Sequence, residues 1–110
     1  GELKHGPLAL IENNIPVIVL APFDENYSKL LSNIQEVKAR GGRIIMITDR
    51  DGAKKVKKYC DQIVIIPKTN FLTSPILYSI PVQLIAYYLA VFLGTDVDQP
   101  RNLAKSVTVE

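Results

Sequence analysis

The chain carries one histidine and one cysteine, His5 and Cys60, so its capacity for chemistry can be weighed almost residue by residue. Histidine is the side-chain type that gains and loses a proton near neutral pH, which suits it to acid–base work. His5 stands in Lys4-His5-Gly6-Pro7, a turn that holds side chains in the open ahead of a helix start. On residue type alone, a lone histidine is more often a surface or packing residue than a catalyst. Cys60 directly precedes an apolar run, where a buried, inert thiol is the commonest outcome. A catalytic thiolate needs a base beside it, and none is indicated. Asp49 ends another apolar run, a position that lines pockets in parallel sheets. The plainer reading of Asp49-Arg50-Asp51-Gly52 is a solvated turn in which Asp51 caps the following helix. Lys54, Lys55, Lys57 and Lys58 read as a solvated helix face, and Tyr78, Tyr87 and Tyr88 as core or subunit interface. One histidine and one cysteine cannot build a Cys/His zinc site, no carboxylate spacing suggests another metal, and no cofactor is expected. GxGxxG, GxxxxGK[ST], HExxH and GxSxG are all missing.

Such residues must be positioned by elements, and the apolar pattern supplies them. Val17–Ala21, Ile44–Thr48 and Ile63–Ile66 are short Val- and Ile-rich runs without polar alternation, the mark of parallel strands covered on both faces. Between the first two, residues 24–40 place Tyr27, Leu30, Leu31, Ile34 and Val37 on one helical stripe. Asp24 and Glu25 suit its start, Lys38 and Arg40 its end, and Gly41-Gly42 its stop. A short helical crossover is expected over 51–59, with Val56 and Tyr59 inward. A long helix is expected over 75–93, capped by Thr73 or Ser74, stopped by Gly94, and kinked or split at Pro81. Residues 1–16 read as an extended entry and a helical turn over 7–11. The tail, 95–110, reads as polar and ordered at most in part. The sum is an α/β fold, a three-layer αβα arrangement with a parallel sheet of the flavodoxin-like kind. Ligands in such sheets bind at the carboxyl ends of the strands.

Composition narrows the function classes. The 110 residues are 47% hydrophobic, which excludes a disordered tail. A net charge of +2 is too small for a dedicated nucleic-acid binder. Residues 76–93 are apolar, but Pro81, Gln83 and the tyrosines make a membrane span unexpected. No secretory signal opens the chain, and a single cysteine, which allows no internal disulfide, points to a reducing, cytoplasmic setting.

Two stretches are more telling than any of these. GELKHGPLALI (1–11) and GTDVDQPRNLAKSVTVE (94–110), with SNIQEVKARGG and PILYSIPVQLIAYYLA between them, resemble the C-terminal isomerase half of the glutamine–fructose-6-phosphate aminotransferases, the glucosamine-6-phosphate synthases. The resemblance runs through the whole chain. It implies that residues 1–94 are the C-terminal part of the second of two sugar-isomerase (SIS) domains. Residues 95–110 would be the tail that completes the sugar-phosphate site. The start at Gly1 then reads as a truncation. The implied activity opens fructose 6-phosphate, aminates it with ammonia from a glutaminase domain, and isomerises it to glucosamine 6-phosphate, the first step toward UDP-N-acetylglucosamine.

In that family His5 would assist ring opening, reaching the site of the neighbouring subunit of a homodimer. Lys105 would meet the open-chain sugar, either by binding its oxygens or by forming an imine at C2, and the backbone of Ala104 would lie beside it. The Ser/Thr-rich phosphate loop and the proton-shuttling glutamate of the family have no counterpart here, so the chain alone is expected to be inactive. It is also expected to associate through an uncovered sheet edge. The alternative is a non-catalytic SIS module that senses a sugar phosphate; such modules need not keep the His5 and Lys105 positions.

Overall fold

The computed structural model describes residues 2–99. Two short 3₁₀ turns, Leu3–His5 and Pro7–Leu10, open the chain. Strand β1 follows over Pro16–Ala21, helix α1 over Tyr27–Ala39, β2 over Arg43–Thr48, α2 over Arg50–Val56, β3 over Gln62–Ile65 and α3 over Ser74–Leu93. The sheet is parallel in the order β1-β2-β3. Val17 sits beside Ile44 and Ala21 beside Thr48, while Met46 sits beside Ile63 on the far side. Consecutive parallel strands joined by helical crossovers are what the alternating pattern requires.

The chain divides into two compact units, residues 1–75 and 76–110. In the first, one sheet face is the core. Ala21, Ile44 and Met46 are buried there against Tyr27, Ile34 and Val37 of α1 and Val56 of α2. Leu3, Leu8 and Ile11 of the entry turns pack on the same cluster. Each large side chain so buried contributes about 1.5–3 kcal/mol. On the other face, Ile18, Leu20 and Val64 are each more than two-fifths exposed. In the second unit, α3 is apolar around most of its circumference, and Phe92 is 86% exposed.

Several boundaries differ from expectation. Helix α1 begins at Tyr27 rather than 24, because the Asp24 side chain accepts the backbone N–H of Asn26 and the Asp24 carbonyl that of Tyr27, which makes a turn ahead of the helix. The entry over Glu2–His5 is a 3₁₀ turn, not extended chain. Crossover helix α2 is shorter than expected, ending at Val56. The turn into α3 is held by Asn70, whose Oδ1 accepts from the backbone N–H groups of Leu72 and Thr73. Pro81 does not split α3, which is helical throughout. Uninterrupted, its 20 residues are long and apolar enough to cross a membrane by length and composition, so the interruptions that argued against this are not breaks in the helix.

Both helix stops occur where glycine was expected to place them, and by one device. Gly41 and Gly94 adopt positive φ, 81° and 67°. In each case the glycine N–H donates three residues back, to Lys38 or Val91, and the next N–H five residues back, to Val37 or Ala90.

Candidate functional site

At the carboxyl end of the sheet, β2 runs directly into α2, and Asp49 stands at the junction. Its Oδ1 accepts the backbone N–H groups of Asp51 and Gly52, both at 2.9 Å. Its Oδ2 accepts that of Phe23, just beyond β1, at 3.2 Å. Asp49 is buried. This corrects the expectation of a solvated turn: the cap is Asp49, not Asp51, and it also ties the end of β1 to the start of α2. Thr48 Oγ1 donates to the Ala21 carbonyl and Tyr27 Oη to the Gly52 carbonyl, both at 2.6 Å. The loop ends where a ligand would be sought are therefore already satisfied by the protein itself.

Beside them lies an open cleft of about 580 Å³, lined by Arg50, Asp51, Lys54 and residues 65–68. Asp51 is paired there with Lys68 at 3.1 Å and Lys54 at 3.5 Å. The hydrogen bond and charge of Lys68, with those of Lys54, hold its carboxyl below the usual range. Two of the three cations around the cleft are thus already engaged.

Asp61, which the sequence reading did not single out, forms a second buttress. Its Oδ2 accepts from Lys38 Nζ at 2.8 Å and from the Ile44 backbone at 2.7 Å. Lys38 above all, and then the Ile44 N–H, hold this carboxyl low. An aspartate just before β3 was its only sequence signal. Its neighbour Cys60 lies with Sγ 4.0 Å from Met46 Sδ. Burial, with the charge of Asp61, pushes the Cys60 thiol up, which disfavours the thiolate, and the side chain packs against the core.

His5 is placed differently. It closes the first 3₁₀ turn, its N–H donating to the Glu2 carbonyl at 3.0 Å. Its side chain is 61% exposed, with Nδ1 at 3.8 Å from Glu2 Oε2. Leu3 and Leu8, on either side, pack on the core and so hold the turn against the domain while leaving the imidazole outward. Lys105 and Ala104 lie outside the described residues. Among the described residues no three His, Cys, Asp or Glu side chains are grouped as metal ligands.

The comparisons with known proteins are consistent along the whole chain. A family model described as the SIS domain matches residues 1–93. The chain is 60% identical over all 110 residues to the glutamine–fructose-6-phosphate aminotransferase [isomerizing] of Mesorhizobium japonicum, and 57% identical to that of Gluconobacter oxydans. It spans 18% of the length of each of these relatives. Among solved structures, the C-terminal domain of glucosamine-fructose-6-phosphate aminotransferase from Francisella tularensis superposes with a TM-score of 0.82 at 42% identity. That match covers 90% of this chain and 28% of the other.

Proposed function

Because the chain belongs to the SIS domain family, we propose that it is the C-terminal part of the isomerase half of a glutamine–fructose-6-phosphate aminotransferase. The observation that carries this reading is 60% identity over all 110 residues with a relative of that name. Residues 1–94 are the later part of a second SIS domain, and 95–110 close the sugar-phosphate site. The substrate is fructose 6-phosphate and the product glucosamine 6-phosphate. The ammonia comes from a glutaminase domain of the same longer protein. The setting is cytoplasmic, and α3 is a helix of the SIS domain rather than a membrane span.

In this reading His5 serves ring opening in the site of a neighbouring subunit. A ring oxygen must gain a proton and the anomeric hydroxyl must lose one, and an imidazole can do both in turn. Its outward placement on a turn anchored by Leu3 and Leu8 supports a role across an interface. Lys105 binds the open-chain sugar or forms an imine with it, with the Ala104 backbone beside it. The chain by itself is inactive, lacking the phosphate loop and the proton-shuttling glutamate.

The test is amination of fructose 6-phosphate by the full-length enzyme carrying His5→Ala, Lys105→Arg or Lys105→Ala, with glutaminase activity followed separately. Loss of roughly 30- to 1000-fold is expected for Lys105→Ala, the equivalent of about 2–4 kcal/mol of transition-state stabilisation. Full activity in Lys105→Ala would remove Lys105 from the site, and full activity in Lys105→Arg would remove the imine. Turnover by the 110-residue chain above a His5→Ala control would overturn its inactivity.

A further inference from the structure

The first 3₁₀ turn puts a carboxylate beside the only imidazole in the chain, and on one particular nitrogen. Side chains three residues apart eclipse one another on a 3₁₀ turn. The backbone bond from His5 N–H to the Glu2 carbonyl, at 3.0 Å, imposes that relation on Glu2 and His5. The side chains follow, with Oε2 3.8 Å from Nδ1. Among the described residues, the Glu2 carboxylate pairs with His5 rather than with Lys4 between them.

We propose that Glu2 is a positioning residue that fixes the tautomer of His5, holding the proton on Nδ1 and leaving the Nε2 lone pair to face the sugar. This rests on the reading of His5 given above. In a neutral imidazole one nitrogen donates and the other accepts, and the partner of the first decides which. The 3.8 Å separation stands just beyond hydrogen-bond distance, and closing it is what engages Nδ1–H. With Nδ1–H so engaged, Nε2 takes the proton of the anomeric hydroxyl on C2 as the C2–O5 bond breaks, and returns it to O5. Between the two transfers the ring is positively charged, and the carboxylate of Glu2 faces that charge. Burial of this pair under a neighbouring subunit strengthens an interaction that water weakens on the free surface.

Long-range ¹H–¹⁵N spectra of the full-length enzyme labelled with ¹⁵N-histidine, His5 being assigned by its absence in His5→Ala, report its tautomer. The expected result is a neutral ring protonated mainly at Nδ1 in the wild type. In Glu2→Ala the balance should move toward Nε2–H, and Glu2→Gln, which retains a carbonyl acceptor, should fall between. Glu2 is 90% exposed, so these variants should fold. An identical tautomer balance in wild type and Glu2→Ala overturns the inference, whatever His5 does in catalysis. In the full-length enzyme, Glu2→Ala should lower kcat for amination roughly tenfold or more with KM held, and an unchanged kcat would also count against it. If instead His5→Ala leaves amination intact, the reading of His5 falls while the tautomer result still stands on its own.

Discussion

The carboxyl end of the sheet and the opening 3₁₀ turns carry polar side chains to opposite purposes. At the first, Asp49, Thr48 and Tyr27 are buried and spend their hydrogen-bonding capacity on the protein's own backbone. At the second, His5 and Glu2 are exposed, and among the described residues their side chains are paired with each other at 3.8 Å. Parallel α/β sheets generally bind ligands at their carboxyl ends, yet here the group best suited to proton transfer sits at the other kind of place. Structural polar groups are recognised by how fully they are satisfied within the domain. On the proposed function, His5 is left on the surface for a neighbouring subunit and the sugar to engage.

That contrast can be broken by substitution, and the largest effect should come from Gly52. A Cβ there would overlap Thr48 Oγ1 and press on Tyr27, and both are held by their own hydrogen bonds. Gly52→Ala is expected to cost about 3 kcal/mol or more, read as a lowered urea midpoint; an unchanged midpoint would mean that the carboxyl end is loosely packed. Next comes Asp49→Ala, which strands three backbone donors and should cost about 2 kcal/mol. Asp49→Asn, still an acceptor at one oxygen, should cost less, and equal losses would show that the charge rather than the bonding matters.

A smaller effect is expected from acid. The carboxyls of Asp61 and Asp51 are held low in the folded protein, so their contribution is complete above the ordinary aspartate range and is lost as pH falls through the folded values. Urea midpoints should be flat near neutrality and decline below about pH 4. Asp61→Asn should shallow that decline, and an unchanged slope would dismiss Asp61 as a contributor. Smallest of all, His5→Ala should shift stability by less than about 0.5 kcal/mol while abolishing its proposed role in the assembled enzyme. A large stability loss would place His5 with the structural groups.

What could be read in the sequence follows the range of the interaction responsible. The three strands and both glycine stops rest on local apolar runs and local backbone geometry, and they lie within a residue or so of expectation. The start of α1 was misplaced because Asp24 could either cap a helix or close a turn, and its type favours both. The cap at α2 is expected at Asp51 because Asp49 and Asp51 are chemically alike; the N–H groups of Asp51 and Gly52, with that of Phe23 26 residues away, select Asp49. Asp61 was invisible for the same reason, with its partners 17 and 23 residues back. His5 was marked as functional by the words around it, GELKHGP, and not by any physical property of a lone histidine.

The strict succession β1-β2-β3 also bears on how the domain comes together. Ala21 and Thr48, paired across β1 and β2, are 27 residues apart. Ile44 and Asp61, bonded where β3 begins, are only 17 apart. By the logarithmic dependence of closure entropy on length, the shorter loop costs about 0.4 kcal/mol less to form. It also encloses the Asp49-capped helix α2. The β2–α2–β3 half is therefore the expected nucleus, onto which β1 docks later. Side-chain truncations at Ile63 should slow folding, whereas those at Val17 should chiefly hasten unfolding; the reverse pattern would move the nucleus to the N-terminal half.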